Sequence, residues 1–286
     1  MSSTPLTPGT HEITIEGVRQ VYHVFGDGPV CVALSGGPGI DWAYLRSPGL
    51  EKHFTMVHLE PVGTGDSGRL DDYRMATYVR FLHAVVEHLG EPTVKILGHS
   101  YGGFVAQQYA LEHPDRVSGL ALYDTSPVAG ADFWGSAMAQ LAAYPDRFPD
   151  VPEAATIPAA FQALGGATTD AELTDALRAA VPVYFADFWD RRDEFAPFVA
   201  GIRIWAGPAN AQDPVPFDVR DRLGEITVPA VVLVGRYDFI CGPPWAKLLD
   251  EGLPEARLVE FDHSGHFAHL EQPEDFVAAV TGTLLP

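Results

Sequence analysis

The run Gly98-His99-Ser100-Tyr101-Gly102-Gly103 constrains this chain more than any other. It reads G-x-S-x-G, and its flanks supply what that pattern needs. Residues 93–97 form a short β-branched run that reads as a buried strand, and residues 104–111 are apolar at helical spacing until Pro114 stops them. A serine caught between strand and helix sits on a sharp, strained turn, where a Cβ at Gly98 or Gly102 would clash. Such a turn pushes the Ser100 hydroxyl out at the sheet edge. It also aims the first N–H groups of the new helix at whatever the serine attacks.

The rest of the chain alternates in the same way. Residues 12–15 and 18–25 flank Glu16-Gly17 and predict an opening hairpin. Residues 30–34 and 55–59 read as buried strands. Residues 75–89 read as a helix: Tyr78, Leu82, Val85, Val86 and Leu89 share one face, and Gly90 ends it. Strands are predicted over 117–123, 228–234 and 257–261, and helices over 245–250 and 273–285, the last with Pro273 in its first turn. Strand alternating with helix implies a mostly parallel central sheet flanked by helices, an α/β fold.

One stretch breaks the alternation. Residues 126–226 show no strand pattern and are rich in aromatics, alanine and proline. The expected organisation is therefore a core of 1–125 and 227–286 with a helical cap, 126–226, inserted over the site. Most of the aromatics are expected to form the cap's own core. Trp134, Tyr184, Phe188 and Trp189 are the candidates for lining a substrate pocket, because ligand sites are mostly apolar.

Composition excludes several classes. The chain has 286 residues, 47% of them hydrophobic, enough for one large α/β domain with an insertion. A net charge of −20 argues against nucleic acid and against anionic membrane surfaces. The two cysteines, Cys31 and Cys241, form neither a disulfide framework nor a metal-ligand spacing. The first ten residues carry no secretory pattern, and no apolar run approaches the ~18 residues of a membrane span. A cytoplasmic protein is expected, with a small-molecule or short-peptide substrate, no cofactor and no metal; the oligomeric state is left open.

A serine hydroxyl needs a base beside it, and the base needs a group that fixes its tautomer. Asp238 follows the apolar run 231–234, and His266 follows the strand run 257–261. Both therefore belong in loops past strand ends, in the chain order Ser, Asp, His. Asp124 also ends a strand, and it is read as holding the loop that leaves the core. His263 and His269 are rivals to His266, which is preferred because Gly265 precedes it. His99 is read as supporting the turn from beneath. For the oxyanion, the expected donors are the N–H of Tyr101 and that of Gly37, with Gly36 second, in the loop Ser35-Gly36-Gly37-Pro38-Gly39. The glycine-rich segment 60–68 lacks the Lys-Ser/Thr of a phosphate loop and is read as support for that loop.

With these residues in place, the chain resembles the α/β-hydrolase fold over nearly its whole length. Gly36-Gly37-Pro38-Gly39, Gly98-His99-Ser100-Tyr101-Gly102-Gly103 and the long helical insertion resemble the proline iminopeptidase branch, whose members remove N-terminal residues from peptides. Two departures stand out: Ser35 where that branch has histidine, and Glu60-Pro61-Val62 where it has Asp-Gln-Arg. An aminopeptidase also needs carboxylates for a cationic N-terminus. Asp187, Asp190 and Glu194 could share a helical face, yet Arg191 and Arg192 beside them read as a solvated, salt-bridged face. The function expected is a serine hydrolase of an ester, lactone, thioester or amide. The alternatives are the aminopeptidase, and a receptor, lyase or epimerase built on the same scaffold.

Overall fold

The structure is a computed structural model that describes residues 5–211, 213 and 215–285. In chain order it runs β1 (Gly9–Ile15), β2 (Val18–Phe25), β3 (Val30–Leu34), β4 (Thr55–Leu59), α1 (Met75–Leu89), β5 (Val94–His99), α2 (Tyr101–Glu112) and β6 (Val117–Tyr123). Five helices follow: α3 (Ala131–Ala143), α4 (Ile157–Ala163), α5 (Asp170–Ala180), α6 (Arg192–Gly201) and α7 (Ala206–Ala209). The chain then returns through β7 (Ala230–Gly235), α8 (Pro243–Gly252), β8 (Ala256–Phe261), α9 (Ala268–Glu271) and α10 (Pro273–Leu284).

Among the described residues the strands form one eight-stranded sheet in the order β1-β2-β4-β3-β5-β6-β7-β8. The first two strands pair antiparallel, and β2 is antiparallel to β4; every later pairing is parallel. β3, β4 and β7 are buried along their whole length, as a sheet covered on both faces requires. Alternate residues of β3 enter different cores. Val32 packs in the core that holds the buried faces of α1, α2 and α8, while Cys31 and Ala33 pack in the core that holds α10. Glu16 and Gly17 take positive φ, 52° and 82°, which turns the opening hairpin tightly.

Element bounds differ from expectation for local reasons. β1 starts at Gly9 because main-chain pairing with β2 continues past the apolar alternation. β7 starts at Ala230 because Pro229 has no N–H to give a ladder. α2 starts at Tyr101, three residues before its apolar pattern begins, since Gly102 and Gly103 carry no side chain to reveal a face. α8 opens on Pro243 and Pro244, which suit a first helical turn. The face expected of Asp187, Asp190 and Glu194 does not form. The segment 185–191 is bent and turned, burying Phe185 and Phe188, and a helix begins only at Arg192. No helix of the described residues is long and apolar enough to cross a membrane.

Candidate active site

Ser100 stands between β5 and α2 at φ 53°, ψ −119°, the strained turn that its glycine neighbours permit. A Cβ on Gly98 would lie 2.5 Å from the Gly102 carbonyl oxygen, and one on Gly103 would lie 2.5 Å from the Cβ of Thr125. The turn is pinned on both sides. Ser100 N–H donates to the Tyr123 carbonyl at 2.9 Å, and the Thr125 hydroxyl donates to the Ser100 carbonyl at 2.8 Å.

Asp238 and His266 meet above the ends of β7 and β8. His266 Nδ1 lies 2.8 Å from Asp238 Oδ2, and both residues are buried. The other carboxylate oxygen accepts from the N–H groups of Ile240 (2.9 Å) and Cys241 (3.1 Å). Asp238 is thus an oriented acceptor, which makes Nδ1 the protonated nitrogen and leaves His266 Nε2 as the basic one. The loops are held together by His266 N–H donating to the Tyr184 carbonyl at 2.6 Å, a bond to the inserted segment. Ser100 and His266 line the same cavity.

The loop 35–39 corrects one expectation. The N–H of Gly36 donates to the Tyr44 hydroxyl at 2.6 Å, so it is not free to face a substrate. Among the described residues, no acceptor takes the N–H of Gly37 or that of Tyr101. Gly37 has φ +125°, and a Cβ there would sit 2.7 Å from the Gly39 nitrogen, so only glycine fits. Ser35, at the position where a histidine marks the iminopeptidase branch, donates from its hydroxyl to the Ile40 carbonyl at 3.3 Å and closes the loop on itself. In the segment after β4, the Glu60 carboxylate accepts from Ser67 N–H at 2.8 Å and meets His23 Nε2 at 3.1 Å.

Tyr44 also reaches His99, whose Nδ1 is 2.6 Å from the phenolic oxygen. The other nitrogen, Nε2, donates to the His266 carbonyl at 2.9 Å. Burial holds His99 well below the ordinary histidine pKa, so it is neutral. The bonds then have one consistent direction: Gly36 N–H to Tyr44 oxygen, Tyr44 O–H to His99 Nδ1, and His99 Nε2–H to the His266 carbonyl.

The rival residues have other partners. His263 is exposed, and its N–H donates to Gln272 Oε1. His269 is buried, with Nδ1 2.9 Å from the Tyr123 hydroxyl and Nε2 2.9 Å from the Tyr44 carbonyl; burial pushes it down to about 4. Asp124 accepts the N–H of Gly235 at 2.8 Å and lies beside Asp238, and the His266 Nδ1–H goes to Asp238 instead. Among the described residues, two groups of three come within 4.8 Å, His99 with Asp124 and His266, and Asp238 with Cys241 and His266. The ligand atoms of His99 and the Nδ1 of His266 are already engaged in hydrogen bonds, so the arrangement reads as proton chemistry rather than a cation cage.

The cavity holds about 360 Å³. The core supplies Gly37, Ser100 and His266, and the insertion supplies an apolar wall that includes Leu173, Leu177, Val181 and Ile204. Trp134 and Tyr184 line it, as the sequence suggested. Phe188 and Trp189 do not. Phe188 is buried in the insertion's own core, with ring centroids 5.8 Å from Phe185 and 6.2 Å from Phe195, and Trp189 packs at its edge. Nothing in a run of aromatics says which ones face inward. Sequence reasoning also missed Tyr44 and the Cys241 thiol, which lies against the Ser100 hydroxyl and which burial keeps protonated. The only sequence signal for Cys241 is its place three residues after Asp238.

The sequence pattern of the alpha/beta hydrolase fold matches residues 29–273. The chain belongs to that family. A proline iminopeptidase from Heyndrickxia coagulans is 27% identical over 94% of this chain and 96% of its own. Among solved structures, an enol-lactonase from Burkholderia xenovorans LB400 superposes with a TM-score of 0.73 at 22% identity, covering 96% of this chain and all (100%) of its own. The proline iminopeptidase of Mycobacterium smegmatis superposes at 0.69 and 24% identity, over 96% and 97% of the two chains. These two share the fold. Family and relatives together make the chain a hydrolase of ester or peptide bonds.

Proposed function

We propose that this hydrolase cleaves an ester, lactone, thioester or amide of a small to medium, uncharged and largely apolar substrate, through Ser100, His266 and Asp238. One observation carries the choice of substrate. Among the described residues that line the cavity there is no Asp, Glu, Lys or Arg. A charged group taken into such a wall would lose its hydration without a partner.

In this reading Ser100 Oγ attacks the carbonyl and its proton passes to His266 Nε2. Asp238 holds the Nδ1–H and stabilises the imidazolium. The N–H groups of Gly37 and Tyr101 take the oxyanion, each worth roughly 3 kcal/mol of barrier. His266 returns the proton to the leaving group, and water releases the acyl-enzyme by the reverse sequence. The inserted helices act as a cap that excludes solvent and selects the acyl group.

The second reading is an aminopeptidase, favoured by the name and coverage of the curated relative. It needs an anion for the substrate ammonium. Glu194, a candidate for that role, is instead paired with Arg191 at 2.6 Å on an exposed surface.

The test compares wild type and Ser100→Ala on p-nitrophenyl esters, lactones and prolyl-p-nitroanilide. Ester or lactone turnover is expected, with a loss of roughly 10⁴–10⁶-fold in the variant. Faster anilide than ester cleavage would move the assignment to the aminopeptidase. No turnover and no labelling by a fluorophosphonate would remove the serine mechanism altogether.

A further inference from the structure

Asp124 is the least explained group near the site. It is fully buried, and it ends β6 in a left-handed conformation, φ +43°, which aspartate and asparagine tolerate better than most residues. Its N–H donates to the Leu233 carbonyl at 2.8 Å and its Oδ1 accepts from Gly235 N–H at 2.8 Å, so the side chain is clasped to β7. Oδ2 is buried with no donor among the described residues. The carboxyl neighbours another, that of Asp238. Two neighbouring carboxyls buried away from water do not both ionise; one of them holds a proton.

We propose that Asp124 is a neutral carboxylic acid donating its proton to Asp238, so that the acid behind His266 is a carboxyl pair carrying one negative charge. The inference rests on reading Ser100, His266 and Asp238 as the catalytic set. Asp124 is then a positioning residue: it acts on His266 only through Asp238.

The surroundings fix which partner holds the proton. Asp238 receives the His266 Nδ1–H and two backbone N–H groups, all of which favour its ionised form. Among the described residues Asp124 receives only the Gly235 N–H. The charged or titratable groups facing Asp124 among the described residues are Asp238 on the loop after β7, Glu271 in α9, the imidazoles of His99 and His266, the Tyr123 hydroxyl and the Cys241 thiol. Burial, then the two carboxylates, push its pKa well above the usual range. With a neutral donor on one side, Asp238 is a weaker acceptor for His266 than a lone buried aspartate would be. That keeps the imidazole easier to deprotonate.

Two variants test this without straining the backbone. Asp124→Asn keeps a hydrogen-bond donor toward Asp238 and an acceptor for Gly235. Asp124→Gly removes the side chain and accepts the positive φ. Infrared difference spectra between wild type and Asp124→Asn at neutral pH are expected to show the carbonyl stretch of a protonated carboxylic acid, lost in the variant. An NMR titration of the His266 ring is expected to give the wild-type pKa in Asp124→Asn and a raised one in Asp124→Gly, with the asparagine variant recovering most of the kcat lost in the glycine variant. A His266 pKa lowered in Asp124→Asn would show that wild-type Asp124 is ionised and would overturn the proposal, as would the absence of the acid band. Both spectroscopic readings are independent of turnover, so they stand or fall separately from the substrate assignment.

Discussion

The loops past β5, β7 and β8 and the helices over 126–226 build the two walls of one cavity by different physics. In the loops, hydrogen bonds set the geometry. Asp238 receives three hydrogen bonds, His99 uses both ring nitrogens, and the glycines are places where backbones touch. In the helices the wall is aliphatic and aromatic, and contact there has no preferred direction. A directional wall fixes atoms to within tenths of an ångström and tolerates little. A packed wall fixes volume and tolerates exchange of one apolar side chain for another.

The sharpest way to break the directional wall is Gly235→Ala. A Cβ there would run into the Gly265 carbonyl and lie 2.7 Å from that of Ser264, forcing apart the loops that carry Asp238 and His266. A fall of about 100-fold or more in kcat/KM is expected, with a lowered Tm. An unchanged rate would mean that the loops can move without cost.

Glu271 joins the two walls and gives the next effect. Its carboxylate accepts Gly265 N–H from the core and Ala186 N–H from the insertion, each at 2.7 Å. Burial pushes it up from an ordinary 4.5 to about 7. A folded-state pKa above the unfolded one means that the fold prefers the protonated group. The stabilisation is complete below about pH 4.5 and is lost as pH rises through 7. Relative to Glu271→Gln, wild-type stability should therefore decline between those limits by about 3 kcal/mol. Denaturant melts over that range would show it as a difference in slope, whatever the constant offset between the two proteins. Parallel slopes would disprove the shift.

Within the packed wall, position decides which property changes. Phe188→Leu should lower stability by about 1–1.5 kcal/mol with KM unmoved, because the ring fills the insertion's core. Trp134→Ala should do the opposite, raising KM a few-fold with little change in Tm, because that ring is 47% exposed and lines the cavity. Steady-state kinetics and thermal melts on both variants would expose a reversal. The smallest effect belongs to Gly135, exposed inside α3 with open space around it. Gly135→Ala should stabilise by about 0.5–1 kcal/mol, read from its thermal melt.

The sequence carried the directional wall better than the packed one. Ser100, Asp238 and His266 each follow an apolar strand run, and punctuation by glycine marks where a chain turns sharply. The juxtaposition of Asp238 with His266 was therefore readable from two strand ends that a parallel sheet brings side by side. Tyr44 and Glu271 were not, because their roles depend on where a helical turn lands after folding, and neither stands in a motif. Phe188 and Trp189 were drawn toward the pocket on chemistry alone. Inward and outward aromatics have the same composition, and only the bent course of 185–191 separates them. Gly36, the second choice after Gly37, stands in the same glycine run, and only the folded position of the Tyr44 hydroxyl, which takes its N–H, sets it apart.

The chain of bonds from Gly36 through Tyr44 and His99 to the His266 carbonyl bears on redesign. It makes the loop 35–39, the turn before the serine and the histidine loop a single hydrogen-bonded unit. A loop exchanged alone from a homologue would arrive without its counterpart. The two ends of the chain of bonds are main-chain groups, so it is the Tyr44 and His99 side chains that would have to travel together, whereas the apolar wall above them can be shuffled one side chain at a time.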